Sequence, residues 1–465
     1  MESMQTQPCS QGRRIIEAMQ FPPLNWSLPR LGREVERRVL KNGTVAFLQP
    51  DHSLPLVRLH LRVRGGSLHE DRARHRLASI AASAWHLGGT ELHSPQEFTD
   101  LLELNGIELQ VVARLESTAL QLSCLSDRLP RALELLGELL AKPRFDEEKL
   151  AFVKEKHHEA LRRRNDQIED IAFREFENSL FGDDPQGFDD SWDDISALDL
   201  TQVRAWHAAA WNPQRSLLAV SGDFDPEELE RQLEKYWAQW IPNDAVLPPI
   251  PAQVEQAHKG VFVVEREVTQ SSLCLGHLGV SRNEEHLEDV ELANYILGGG
   301  SFSSRLMDKV RTRDGLAYSI GSHVDLSSLR RGRAIVYGQV KAEETGRVLD
   351  CVREEMELLQ RELVSEEEFS QARQALENGI KMAFYHSGAA SRVFLQLEVL
   401  SRPADFYEGY LKRLSQTTRQ SVLEAAQRLY RPDDILAVVV GSGELLAPKW
   451  PESANLPRLQ IRSFS

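Results

Sequence analysis

A long-period internal repeat constrains this chain more than any other feature. The stretch Trp211-Asn-Pro-Gln-Arg-Ser-Leu-Leu-Ala-Val-Ser-Gly222 returns as Tyr430-Arg-Pro-Asp-Asp-Ile-Leu-Ala-Val-Val-Val-Gly441. Each copy has an aromatic, X-Pro, a short apolar strand and a Gly nine residues past the Pro. The two prolines lie 219 residues apart, and so do Phe145-Asp-Glu-Glu and Val364-Ser-Glu-Glu. Leu87-Gly-Gly and Leu297-Gly-Gly are separated by 210. Three markers in one order at nearly one offset indicate a duplicated unit.

The copies are joined by a stretch holding Pro242, Pro248, Pro249 and Pro251. Proline at this density continues neither a helix nor a central strand, so the segment reads as an extended linker. The expected domains are therefore 1–240 and 260–465, with a linker over 241–259. Within each, strands and helices mix. Leu56 to Val63 alternates apolar and polar residues after Val57 as a half-buried strand does, and Asn42-Gly43 marks a hairpin. Helices are expected at Leu77–Leu87, at Pro95–Asn105 behind a Ser94 cap, over a long run from Glu148 to Asn178 capped by Asp146, and from Pro226 to Trp240. The fold class is α+β: two homologous tandem domains, each a mostly antiparallel sheet packed against helices.

Charge and hydropathy exclude some functions. The 55 Lys+Arg against 70 Asp+Glu leave a net charge of −15, which disfavours nucleic acid, whose binding relies on a positive surface. The longest aliphatic run, Ile435–Val440, is far short of the roughly 20 residues of a membrane span. Met1 to Gly12 are polar, so no signal peptide is visible and a cytoplasmic location is the default expectation; a leader removed beforehand would leave a periplasmic protein looking the same. Cys9, Cys124, Cys274 and Cys351 form no CxxC pair and read as buried or incidental thiols.

A search for chemistry finds no self-sufficient centre. His69-Glu70 with His75 looks like HExxH, but six residues turn a helix by about 600°, and the neighbouring Gly65-Gly66 points to a solvated loop. His157-His158 lies on a charged helix face, and His286 begins a charged helix. Gly298-Gly299-Gly300-Ser301 lacks the Gly-Lys-Ser/Thr of a phosphate cradle and reads as a turn that ends a helix against another backbone. It also offers a surface for contacting an extended peptide.

Asn294-Tyr-Ile-Leu-Gly-Gly-Gly-Ser-Phe-Ser-Ser-Arg-Leu-Met307, followed by Val310-Arg-Thr-Arg-Asp-Gly-Leu-Ala-Tyr-Ser319, resembles the insulinase/pitrilysin family of zinc peptidases, which includes mitochondrial processing peptidase and two-domain bacterial members. The resemblance extends from Phe21 to Leu446. It implies a zinc site of His-x-x-Glu-His on a helix a few residues before Gly89-Thr90, completed by a distal Glu. Here those positions fall on Ile80, Ser83 and Ala84, with Ala160, beside Glu159, at the distal one. Isoleucine and alanine offer zinc no lone pair, so this chain is expected to bind no metal and no cofactor of its own.

Active members of the family pair the zinc half with an Arg and a Tyr seven residues apart. Arg311 and Tyr318 have that spacing, with Arg311 expected at a helix end stopped by Asp314-Gly315 and Tyr318 on the next strand. The resemblance thus implies a non-catalytic subunit that lends Arg311 and Tyr318 to a zinc-bearing partner acting on extended peptides. Arg311 and Tyr318 would contact the substrate and its oxyanion, and Gly298, Gly299, Gly300 and Ser301 would bind substrate. A homodimer is the alternative assembly, and a non-enzymatic scaffold of the same fold the alternative function. A peptidase with unfamiliar ligands such as His86, His157 or His158 is the third reading.

Overall fold

The computed structural model describes residues 26–253, 255, 258–326 and 329–446; Cys9 and the polar stretch Met1 to Gly12 lie outside them. Among the described residues eleven strands form two sheets. The first contains β1 (Glu36–Val39), β2 (Val45–Pro50), β3 (Leu56–Arg64), β4 (Glu108–Ala113), β5 (Ser117–Leu125) and β6 (Ser216–Gly222). The second contains β7 (Gly260–Glu265), β8 (Gln270–Leu278), β9 (Ala317–Val324), β10 (Arg333–Lys341) and β11 (Leu436–Gly441). The strand orders are β1-β2-β6-β3-β5-β4 and β7-β11-β8-β10-β9, so the second sheet repeats the first without its edge strand β1. The mixed sheets packed with helices are the expected α+β architecture.

The duplication holds at the level of register. Arg62 pairs with Ala119 on β5 and Leu217 on β6, while Gly276 pairs with Ile335 on β10 and Leu436 on β11. Arg62 and Gly276 are therefore equivalent ladder positions, and Leu217 and Leu436 keep the offset of 219 seen in the sequence. In both sheets only β2 with β6, and β7 with β11, run parallel.

One face of each sheet carries its own helices. Leu59, Leu61, Leu120, Leu122, Leu218 and Val220 form a core with the Leu77–Leu87 and Leu129–Ala141 helices. Trp85, fully buried there, donates its indole N–H to the Leu139 carbonyl at 2.9 Å. The opposite faces exchange helices. Ile168–Phe181, from before the proline-rich segment, lays Ile171, Phe176 and Leu180 on Val264, Cys274, Val438 and Val440 of the second sheet. Ala389–Val399, from after it, lays Phe394 and Leu395 on Phe47, Leu217 and Ala219 of the first. Each half closes the other's core.

Two expectations change. The run from Glu148 to Asn178 is two helices, Glu147–Arg163 and Ile168–Phe181, although Asp146 does cap the first by accepting from the Lys149 N–H at 3.1 Å. The break is held by Arg174, whose guanidinium donates to the Arg164 carbonyl at 2.9 Å and to Asn165 Oδ1 at 2.8 Å. Among its described residues the linker forms neither helix nor strand, but it is strapped down. The Asn243 carbonyl accepts from Asn212 at 2.8 Å and the Ala245 carbonyl from Arg215 at 2.8 Å, both in the first half. Gln253 donates to the Arg331 carbonyl at 2.7 Å, in the second.

Cys124, Cys274 and Cys351 are buried free thiols, and burial pushes the Cys124 thiol up to about 12.

Candidate functional site

The helix that would carry a zinc motif is a packing element here. Ile80 and Ala84 are fully buried in the first core, and Ser83 is half-buried between them. The Glu147–Arg163 helix packs against it, with Ala160 and Glu159 exposed. His86 and His157 have their proton affinity lowered, chiefly by burial, and His158 stacks on Trp192 at 4.1 Å between ring centroids. Among the described residues no group of three or more His, Cys, Asp or Glu side chains could hold a metal ion. A zinc ion needs three protein ligands and an open position, and Ile80, Ser83, Ala84 and Ala160 do not fit it.

His69 ends the short 3-10 turn Ser67–His69, Glu70 follows it, and His75 follows a second turn, Arg72–Arg74, as in a loop, but the loop is not solvated. Glu70 and His75 are buried. The Glu70 carboxylate accepts from the backbone N–H groups of Arg76 at 3.0 Å and Ala78 at 2.7 Å, capping the Leu77–Leu87 helix. His75 Nδ1 lies 3.1 Å from Glu70 Oε2, and its Nε2 lies 3.0 Å from Asp190 Oδ1. Arg76 also reaches Asp190, at 2.8 Å. These charges are buried because they satisfy one another and a helix end, and no periodicity reports that.

Burial alone would lower the proton affinity of His75, yet the Asp190 and Glu70 carboxylates raise it above the ordinary imidazole value. Asp190 is held far below the usual carboxylate range: burial opposes this, but His75 and Arg76 outweigh it. A raised histidine stabilises fully below its unfolded value of about 6.5, and the contribution fades as pH rises through the folded value. The lowered Asp190 stabilises above about 3.9 and loses its effect as pH falls through its folded value. Replacing His75 with Gln should therefore lower the melting temperature most near pH 5–6, with the gap to wild type narrowing toward pH 9. A gap that stays constant across that range would contradict the coupling.

Arg311 and Tyr318 come together. Arg311 lies in a wide-turned helical segment, Met307–Arg313, which ends at Asp314 and at Gly315 with φ +61°. Turns of this π type often mark functional positions. Tyr318 is on β9 and is 70% exposed, where a half-buried strand tyrosine is the bland alternative. The Arg311 guanidinium carbon lies 5.7 Å from the centre of the Tyr318 ring and 5.0 Å from that of Phe302, itself 69% exposed. Phe302 has no role in the sequence motif as read above; its one signal there is an aromatic directly after Gly298-Gly-Gly-Ser301.

The glycine turn sets this group against β9. A Cβ on Gly298 would meet the Ser322 backbone nitrogen at 2.7 Å, so glycine is required for the close approach. Gly300 is buried, whereas Gly299 and Ser301 are exposed, and Ser301 holds a left-handed φ of +51°. Ser322 Oγ donates to Asn294 Oδ1 at 2.8 Å and ties the preceding helix to the same strand.

Comparison with known proteins gives this geometry a lineage. Residues 45–187 match the model for "Insulinase (Peptidase family M16)", and residues 197–376 match that for "Peptidase M16 inactive domain". The chain belongs to the insulinase family. A Bacillus subtilis relative called an uncharacterized zinc protease, YmxG, is 21% identical over 88% of this chain and 99% of its own length. A Helicobacter pylori relative called a non-peptidase homolog is 26% identical over 58% of this chain and 63% of its own length. The crystal structure of a peptidase M16 inactive domain from Pseudomonas fluorescens shares the fold with a TM-score of 0.78 and 23% identity, over 88% of this chain and 98% of that one. Of the positions the resemblance pointed to, Ile80 and Ala84 are core residues, Ser83 is half-buried and Ala160 is exposed. Among the described residues, no helix is long and apolar enough to cross a membrane.

Proposed function

We propose that this chain is the non-catalytic subunit of a two-subunit insulinase-type metallopeptidase. The partner carries His-x-x-Glu-His and its zinc, and this chain closes a chamber around an extended peptide. The observation that carries the reading is the cluster of half-buried Arg311 with exposed Tyr318 and Phe302, set on a π-type turn, the start of β9 and the short turn Ser301–Ser303. A guanidinium and a phenol presented this way can donate to a substrate carbonyl and to the oxyanion that forms from it. The exposed Gly299 and Ser301 offer backbone for the same peptide, with Gly298 and Gly300 shaping the turn beneath.

A scaffold without enzymatic role is the second reading, favoured by the Helicobacter pylori relative's being called a non-peptidase homolog. Mixing tells them apart. Mass photometry of this chain with a zinc-bearing family member from the same organism should show a new 1:1 species at micromolar concentration. The mixture should cleave peptides that neither chain cleaves alone, with zinc found only in the partner. No complex, or a homodimer that persists in the partner's presence, would leave the scaffold reading standing.

A further inference from the structure

Between the two halves lies an open cleft of about 510 Å³ to which both sheets and both exchanged helices contribute. Its charge is unevenly settled. Glu116 is paired with Arg282 at 3.0 Å and accepts from the Leu329 N–H at 2.6 Å. Glu177 pairs with Arg333, and Asp325 accepts from the Arg333 N–H at 3.1 Å while facing His323 at 3.2 Å. The carboxylates of the cleft are thus committed.

Arg62 is not matched in this way. It is half-buried, and its side-chain partners are neutral: Ser117 Oγ at 2.9 Å and the Gln396 side-chain oxygen. Burial and the nearby Arg114 guanidinium both work against its charge, and only Glu116 favours it. Arg114 is exposed, and among the described residues neither it nor Arg62 has a carboxylate within 4 Å, although most other arginines do. The ladder does not demand arginine here, since the equivalent position in the second sheet is Gly276. Two adjacent guanidiniums left without an anion, in a chain with 15 surplus acids, form a receptor for one. The walls add apolar surface from Leu115, Phe181, Val399 and Leu400.

We propose that this cleft binds an acidic peptide, with Arg62 and Arg114 gripping its side-chain carboxylate. Guanidinium forks match a carboxylate geometrically, and the apolar wall receives the peptide's aliphatic groups. A nucleic acid would meet the same arginines but also the repulsion of the surrounding acidic surface. The inference rests on reading the chain as a peptide-handling protein, and it names the substrate class.

Calorimetric titration of the isolated full chain at low salt tests it without any partner. Acetylated and amidated hexaglutamate should bind, amidated hexaglutamine should not, and added salt should weaken the binding. Arg62→Gln and Arg114→Gln should each weaken it about tenfold or more, the value of one charge-assisted hydrogen bond. Arg114 is exposed and unpaired, so its variant keeps the fold even if Arg62→Gln does not. Arg231→Gln, on the distant Pro226–Tyr236 helix, should leave the affinity unchanged. Hexaglutamine with a free C-terminus, if bound in an Arg62-dependent way, would support the same grip on an α-carboxylate. Equal affinity for hexaglutamate in wild type and both variants would overturn the proposal, and so would tighter binding of an oligothymidylate. Peptide binding without a heterodimer would reject only the partner, and a heterodimer without peptide binding would reject only this site.

Discussion

Phe176→Ala should destabilise the protein by about 3–5 kcal/mol, the usual loss when a buried aromatic is truncated in a core that cannot collapse. Phe176 is fully buried, and its neighbours across the interface, Val264, Cys274, Val438 and Val440, belong to strands formed from the other half of the chain. The damage should therefore appear far from the substitution in sequence. Hydrogen exchange should speed up in Gln270–Leu278 and Leu436–Gly441 more than in β3 or β5. Phe176→Leu, which restores much of the volume, should recover most of the loss. Exchange confined to residues before the linker, or a loss below about 1 kcal/mol, would show that the exchanged helix is only an ornament on the second sheet.

A second lock across the halves points the same way. Asp184, at the end of that helix region, is buried and pairs with buried Arg330, which also donates to the Pro251 carbonyl of the linker. A buried charge that loses its partner is strongly destabilising. Helix exchange, the buried ion pair and the strapped linker all tie one half to the other.

Much of this architecture was readable in the chain because duplication leaves marks at turns. Trp211-Asn-Pro and Tyr430-Arg-Pro start equivalent strands, and glycine ends both. The cap at Ser94 and the hairpin at Asn42-Gly43 were legible because turn chemistry is local; Gly43 has φ +94° and Asn42 accepts from the Thr44 N–H at 3.1 Å. The helix exchange was not legible. The pattern of Ile171, Phe176 and Leu180 shows that one face is apolar but not which sheet covers it. The break after Arg163 was missed for a similar reason, since Arg164-Asn-Asp-Gln lacks Pro or Gly, and a tertiary contact from Arg174 holds it. The buried Glu70 and His75 were read as solvated because polarity does not reveal mutual pairing or the pairing with Asp190. In the candidate site, Arg311 and Tyr318 were picked out by the family resemblance, whereas the approach of Phe302 to the Arg311 guanidinium depends on how the glycine turn folds back.

Tyr318→Phe should abolish most turnover of a reconstituted peptidase while leaving the protein intact. The side chain is 70% exposed, so deleting its hydroxyl removes no buried bond and should not move the melting temperature or weaken assembly. Whatever the substitution does to rate is then a property of the hydroxyl in the complex. Removing one donor from an oxyanion site costs on the order of 10²–10³ in kcat. Arg311→Lys keeps the charge but loses the planar fork that lies near Phe302 and Tyr318, so it should be nearly as harmful as Arg311→Ala. Phe302→Leu, which changes only the surface against which Arg311 rests, should cost less than either. The loss should fall mainly on kcat, because hydrogen bonds that strengthen as charge develops stabilise the transition state more than the bound ground state. A rise in KM alone would make the pair a peptide grip with no part in the chemistry. Near-wild-type turnover in both Tyr318→Phe and Arg311→Ala complexes would leave the cluster as surface decoration and the chain as a scaffold.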